Sequence, residues 1–191
     1  AGAEVLLELV DGSLIVKSGR SRFKLQCLPA GDFPSLTAGD YDVEFQFDLS
    51  QFCAPVAFAI SNEETRYYLN GVYFLKSGGK ITGVATDGHR LARNEMESDA
   101  PEFAGIIIPS KTVSLLPKGT NTVRISSTKM QIVGADFVVT SKLIDGTYPD
   151  YERVIPKAND KQVTVDNASF SAASDRVATI SSERGRAVKL S

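Results

Sequence analysis

A chain of 191 residues, 42% hydrophobic and 23% charged, has the make-up of an ordinary globular protein, long enough for one large domain or a domain with parts of others. Its net charge of −2, with 11 Lys+Arg against 14 Asp+Glu over residues 41–156, excludes tight nucleic-acid binding by bulk charge, so any DNA contact must be local and weak. A single His and two cysteines at no ligand spacing exclude His-rich metal chemistry and a disulfide framework, and no apolar run approaches the ~20 residues that span a bilayer. Cys27 and Cys53 read as buried thiols of a reducing cytoplasm, and residues 1–8 lack the layout of a signal peptide.

In chain order, residues 4–10 and 13–16 read as strands around Asp11-Gly12, a strong hairpin signal. A strand follows at 22–25 and another at 41–47, then a short helix at 50–54. Alternation or β-branched enrichment predicts strands at 66–75, 80–86 and 105–109, a helix at 110–116, and strands at 122–126, 129–133 and 136–140. A last helix is predicted at 169–180, capped by Asn167 or Ser169, with Phe170, Ala173, Val177 and Ile180 at helical spacing. Many strands with few helices give an α+β class, antiparallel sheets carrying helices on one face. The absence of an initiator Met, and a strand-like end at 187–191 with no closing turn, lead us to expect part of a longer molecule.

The chain also repeats itself. Residues 130–149 echo residues 14–34: each reads as a hairpin, a second strand and an aromatic-Pro exit, Tyr148-Pro149 in one and Phe33-Pro34 in the other. A second echo joins residues 58–66 to 178–186. A period of about 120 residues is too long for a solenoid and predicts tandem domains of one fold.

Several motifs are more specific. Arg66-Tyr67-Tyr68-Leu69-Asn70-Gly71, then Thr86-Asp87-Gly88-His89-Arg90-Leu91, then Asp145-Gly146-Thr147-Tyr148-Pro149-Asp150-Tyr151 resemble, in order and spacing, the middle domain of bacterial DNA sliding clamps. Residues 18–23 and 32–34 resemble the end of that family's first domain, and residues 180–186 the start of its third. The resemblance covers essentially the whole chain. It implies residues 1–40 as the end of a first clamp domain, 41–156 as the middle domain and 157–191 as the opening of a third. It further implies antiparallel sheets outside and helices inside a head-to-tail homodimeric ring around double-stranded DNA. The implied role is that of a cytoplasmic, non-catalytic processivity factor without a cofactor. Its implied partners are DNA polymerase and clamp-loader subunits, which dock through short linear motifs. The alternative is a β-rich peptide-binding module that does not encircle DNA.

Two departures stand out. The family's inner helices run roughly three turns, whereas the predicted helices here meet Pro55 and Pro117. A proline inside a helix removes a hydrogen bond and crowds the preceding turn, so both helices are expected to stop short. Residues skipped near Ala54–Pro55 and Leu116–Pro117 would account for this.

Three groups of residues are candidates for function. Asp87 and His89 could form a catalytic pair, but a lone Asp-x-His with no nucleophile or ligand set is weak, and a turn with Gly88 at positive φ explains it as well. The resemblance instead places Leu69, Thr86, Gly88, His89, Arg90, Leu91, Pro149, Arg153 and Val154 in a pocket for partner peptides that often carry Gln and a hydrophobic pair. Apolar walls with a few polar anchors suit that task. For DNA, Arg66, Tyr67, Tyr68 and Lys111 are the candidates, although strand alternation could make one tyrosine simply core, and Glu63 and Glu64 would weaken phosphate contact. The resemblance sets Phe33 and Leu36 against Thr179 and Ile180 of a partner at the dimer seam, with ordinary core burial the alternative for Phe33.

Overall fold

Asp11 and Gly12 both take positive φ, 48° and 71°, the backbone of a two-residue hairpin turn that matches strand twist. This turn folds β1 (Leu6–Val10) against β2 (Ser13–Ser18), and β3 (Ser21–Gln26) adds to β2, giving an antiparallel sheet in the order β1-β2-β3. The computed structural model describes residues 4–33, 39–181 and 188–189. The chain divides into two units, Ala1–Tyr148 and Pro149–Ser191.

Two four-stranded antiparallel sheets form the body of the first unit. One contains β4 (Val43–Phe47) and the three strands β9 (Asn121–Ile125), β10 (Lys129–Val133) and β11 (Val138–Lys142), in the order β11-β10-β9-β4. The other contains β5 (Gly71–Ser77), β6 (Lys80–Thr86), β7 (Leu91–Glu97) and β8 (Phe103–Pro109), in the order β7-β6-β5-β8. Helix α1 (Leu49–Ala57) packs on β5, β6 and β7, and α2 (Ser110–Ser114) on β5, β8 and α1, so both helices cover one face of that sheet. The expected α+β class, antiparallel sheets with helices on one face, is what the chain forms.

Aromatic rings fill the core. Phe45 and Phe47 from β4, Phe52 from α1, Phe74 from β5 and Phe103 from β8 meet at centroid distances of 5.2–6.1 Å. Gly83 on β6 makes room for them: a Cβ there would lie 2.8 Å from Phe52 Cε1. Burial of these rings together with aliphatic side chains such as Val56, Val72, Ile108 and Ile132 favours folding of the unit.

The internal repeat is visible in three dimensions. β1-β2-β3 and β9-β10-β11 are both antiparallel meanders, and the segments around residues 14–33 and 130–148 occupy matching strands within them. The repeat extends to the helices. Asp48 caps α1 by accepting from the Gln51 N–H, and Asp166 caps α3 (Asn167–Ala178) by accepting from the Ser169 N–H, both at 2.9 Å. Phe52 and Phe170 each follow their cap by four residues. The cap of α3 is therefore Asp166, not Asn167 or Ser169.

Several expected elements are corrected. Residues 64–69 form a pair of 3-10 turns rather than the start of a strand, because Arg66 pairs back to Glu63 and the Asn70 N–H bonds the Tyr67 carbonyl; β5 begins only at Gly71. Strand β7 escapes the sequence reading because Leu-Ala-Arg-Asn-Glu-Met-Glu carries no β-branched residue. It pairs with β6 at seven positions as a charged edge strand. Helix α1 runs unbroken through Pro55. Pro55 sits in the last turn and, like Gln51, on the exposed side, so the Gln51 carbonyl left without its helical donor faces solvent. Helix α2 does stop short, three residues before Pro117. Cys27 is exposed rather than buried, whereas Cys53 is fully buried and its thiol is pushed up to about 12 by desolvation.

Candidate functional site

The turn between β6 and β7 carries five of the nine residues assigned to the peptide pocket, and its sequence dictates its shape. Thr86 closes it from one side: its Oγ1 donates to the Arg90 carbonyl (2.7 Å) and accepts from the Gly88 N–H (3.1 Å). Asp87 closes it from within. Its Oδ1 accepts from the backbone N–H of His89 (2.9 Å) and Arg90 (3.0 Å), and its Oδ2 accepts from Arg90 Nε (3.0 Å). Gly88 has φ 87°, which a side-chain-bearing residue rarely adopts, so glycine is required there.

This geometry removes the catalytic-pair reading. Both Asp87 oxygens are committed to the turn, so Asp87 shapes the backbone of His89 and does not orient its ring. The two backbone N–H donors, His89 first and then Arg90, hold the Asp87 carboxyl down to about 2. The group is depressed on folding. Its contribution to loop order is therefore complete above the ordinary aspartate range near 4 and is lost as pH falls through about 2. A carboxyl NMR titration of the folded protein should give a midpoint near 2 for Asp87; a midpoint in the ordinary aspartate range would sink the proposed bonding.

What the turn presents outward is His89 and Arg90, both exposed, with Leu91 half-buried at the start of β7. Arg90 also reaches the residue that follows α1: its guanidinium carbon lies 5.6 Å from the ring centroid of the exposed Phe58, within cation–π range. Leu69 is buried, its carbonyl accepting from the Ser61 N–H at 3.1 Å. Pro149, Arg153 and Val154 belong to the second unit. There all three are exposed, Val154 closes a 3-10 turn (Tyr151–Arg153), and Arg153 pairs with Asp150 at 2.9 Å. Immediately before them, at the end of the first unit, Tyr148 stacks on Tyr73 (4.7 Å, 4°) with its hydroxyl 3.5 Å from the Val84 carbonyl. Burial raises that phenol well above its usual range.

The residues assigned to DNA are less uniform. Tyr67 is exposed and Tyr68 half-buried; the rings meet edge to face at 5.8 Å, and neither is core. Gly146 packs against both, since a Cβ there would lie 3.0 Å from Tyr68 Cβ and 3.4 Å from Tyr67 Cε2. Lys111 is exposed on α2. Arg66 is already engaged, with Nε 2.9 Å and Nη2 2.7 Å from the two Glu63 oxygens, and Nη2 also 3.3 Å from the Asp87 carbonyl. Sequence reasoning missed this bridge and the part Glu63 plays in it. At the assigned dimer seam Phe33 is 79% and Ile180 86% exposed, so Phe33 is not core in the first unit; Thr179 is exposed, and Leu36 lies outside the described residues. Among the described residues no three His, Cys, Asp or Glu side chains converge on a metal-sized site, and no helix is long and apolar enough to cross a membrane.

Comparison with known proteins gives consistent matches. Residues 46–150 match the family described as DNA polymerase III beta subunit, central domain, and residues 152–191 match the C-terminal domain of the same subunit. The beta sliding clamp of Caulobacter vibrioides is 45% identical over 99% of this chain and 55% of its own length, and that of Escherichia coli K12 is 39% identical over 99% and 54%. The chain thus spans about half the length of the curated relatives it matches. The Caulobacter alignment extends over 208 residues, more than the chain contains, so that relative carries residues with no counterpart here. Among solved structures, a Bartonella birtlesii sliding clamp bound to griselimycin superposes with a TM-score of 0.84 at 42% identity, covering 97% of this chain and 54% of that one.

Proposed function

This chain belongs to the DNA polymerase III beta-subunit family, the bacterial sliding clamps, and from that premise we propose that it acts as part of a DNA-encircling processivity factor. On this reading residues 1–40 end a first clamp domain, 41–156 form the middle domain and 157–191 open a third, in a head-to-tail homodimer in the cytoplasm. The protein is non-catalytic. It tethers polymerase and clamp-loader subunits, which dock by short linear motifs on Leu69, Thr86, Gly88, His89, Arg90, Leu91, Pro149, Arg153 and Val154.

The observation that carries the reading is the β6–β7 turn. Thr86, Gly88 and Asp87 fix the backbone of the turn, and Asp87 Oδ2 also holds the Arg90 Nε, so His89 and Arg90 stand exposed beside the Phe58 ring as preorganised anchors for an extended peptide. The exposure of Phe33 and Ile180 supports a protein partner at the seam formed with Leu36 and Thr179. Tyr67, Tyr68 and Lys111 are the proposed DNA contacts together with Arg66, whose charge Glu63 already offsets. Weak contact of this kind suits sliding, since strong phosphate binding would stall it.

Encirclement has a topological signature. Loaded on a nicked circular plasmid, the complete protein should stay with the DNA through gel filtration in moderate salt and dissociate once the plasmid is cut to linear form. Loss from the circle, with peptide binding retained, would favour the peptide-binding module that does not encircle DNA. Equal retention on both forms would point to ordinary binding and overturn the ring.

A further inference from the structure

Arg66 and the β6–β7 turn are separated by about twenty residues of sequence, yet they are in direct contact. The Arg66 guanidinium lies against Gly88, where an added Cβ would come 2.6 Å from Nη1, and its Nη2 donates to the carbonyl of Asp87 (3.3 Å). Its other side is gripped by both oxygens of Glu63. Glu63 is itself fixed: its N–H donates to Ser61 Oγ (3.1 Å), and its carbonyl accepts from Asn70 Nδ2 (3.1 Å). The Ser61 N–H in turn donates to the carbonyl of Leu69. A continuous set of bonds therefore runs from the 61–70 segment, which contains Leu69, to the turn that displays His89 and Arg90.

We propose that the Glu63–Arg66 pair is a positioning element for the peptide-binding turn, bracing Gly88 and the Asp87 carbonyl so that His89 and Arg90 are held in the geometry a partner peptide requires. The role rests on the peptide-site reading above. Arg66 is the residue suited to it, because a planar guanidinium can serve a carboxylate along one edge and a carbonyl from the same nitrogen, which a lysine ammonium cannot reproduce. The ion pair is partly exposed and contributes little as an ion pair alone; its effect comes from fixing the direction of the donor.

The test uses the complete protein as wild type, Arg66→Ala, Arg66→Lys and Glu63→Gln. Hydrogen exchange of the residue 87–91 amides is followed without peptide, and a labelled short peptide carrying Gln and two adjacent large apolar residues is titrated separately. Removing a charge-assisted bond of this kind is expected to weaken the peptide by about tenfold in Arg66→Ala, with Arg66→Lys close to it and Glu63→Gln intermediate. Exchange at His89 and Arg90 should quicken in the same order before any peptide is added, which a mere peptide contact at Arg66 would not produce. Unchanged exchange in Arg66→Ala overturns the brace whatever the affinities. Faster exchange with unchanged affinity shows that the braced geometry is not what the peptide needs, and overturns the proposal too. Failure of the wild type itself to bind peptide sinks the peptide-site reading, a different result from either. As an independent check, Gly88→Ala should perturb exchange less in the Arg66→Ala background than in wild type, because part of its clash is then gone.

Discussion

Phe74→Ala is expected to destabilise the first unit by about 3–5 kcal/mol, the range for deleting a fully buried ring from a core that collapses poorly. Phe74 has no exposed surface, and its ring meets Phe47, Phe52 and Phe103 at 6.1, 5.8 and 5.3 Å. These neighbours come from β4, α1 and β8, so one side chain joins the two four-stranded sheets to the helix that covers one of them. Collapse into the void is restricted because Gly83, the cross-strand partner of Phe74 on β6, has no side chain to move in. Urea unfolding followed by circular dichroism should show the midpoint falling with an unchanged slope. Val138→Ala, at a site 60% exposed, should stay within about 0.5 kcal/mol of wild type. A loss below about 1 kcal/mol for Phe74→Ala would mean that the ring cluster is not the joint between the sheets.

That cluster also shows where the sequence is legible. Asp11-Gly12 announces its hairpin because only residues tolerant of positive φ fit a tight two-residue loop, and the leucine- and valine-rich runs on either side agree with it. Strands β6 and β10 are legible in full because β6 is rich in β-branched residues and polar and apolar residues alternate from Lys129 to Ile132 in β10. Strand β7 is not, since its seven residues gain their extended form from pairing with β6, a tertiary cause that local propensity does not carry. The 64–69 turns mislead for a related reason: Tyr-Tyr-Leu has the composition of a strand, and only the Glu63–Arg66 pair and the bond from Asn70 bend the chain away.

The candidate site divides in the same way. Gly88 and Asp87 are readable as a turn because the chemistry is local, within three residues. The bridge from Arg66 to Asp87 is not readable, as nothing in the spacing of the two motifs says that they touch. The repeated Asp-x-x-x-Phe of Asp48–Phe52 and Asp166–Phe170 was available as a signal. It identifies α1 and α3 as equivalent helices, each opened by an aspartate that accepts from the third helical N–H. Helical spacing of the apolar residues alone starts α3 at residue 169, two residues late.

The peptide site yields the second large effect. Seating a leucine-sized side chain in an apolar pocket contributes roughly 1.5–3 kcal/mol, so removing a wall should raise the peptide Kd by about tenfold or more. Leu69→Ala tests this with a complication that the structure makes explicit. Leu69 is only 4% exposed, and the substitution also costs the fold about 2–5 kcal/mol, so a weaker peptide complex could reflect a damaged turn. Val154→Ala separates the two effects, because Val154 is 69% exposed in its unit and its loss should leave stability nearly unchanged. Both variants are therefore titrated with the labelled peptide in the complete protein, each after its unfolding midpoint has been measured. Both should bind about tenfold more weakly and still remain on nicked circular DNA, since neither residue is assigned to the DNA face or the dimer seam. Wild-type affinity in Val154→Ala and in a folded Leu69→Ala would place the partner site elsewhere on the molecule.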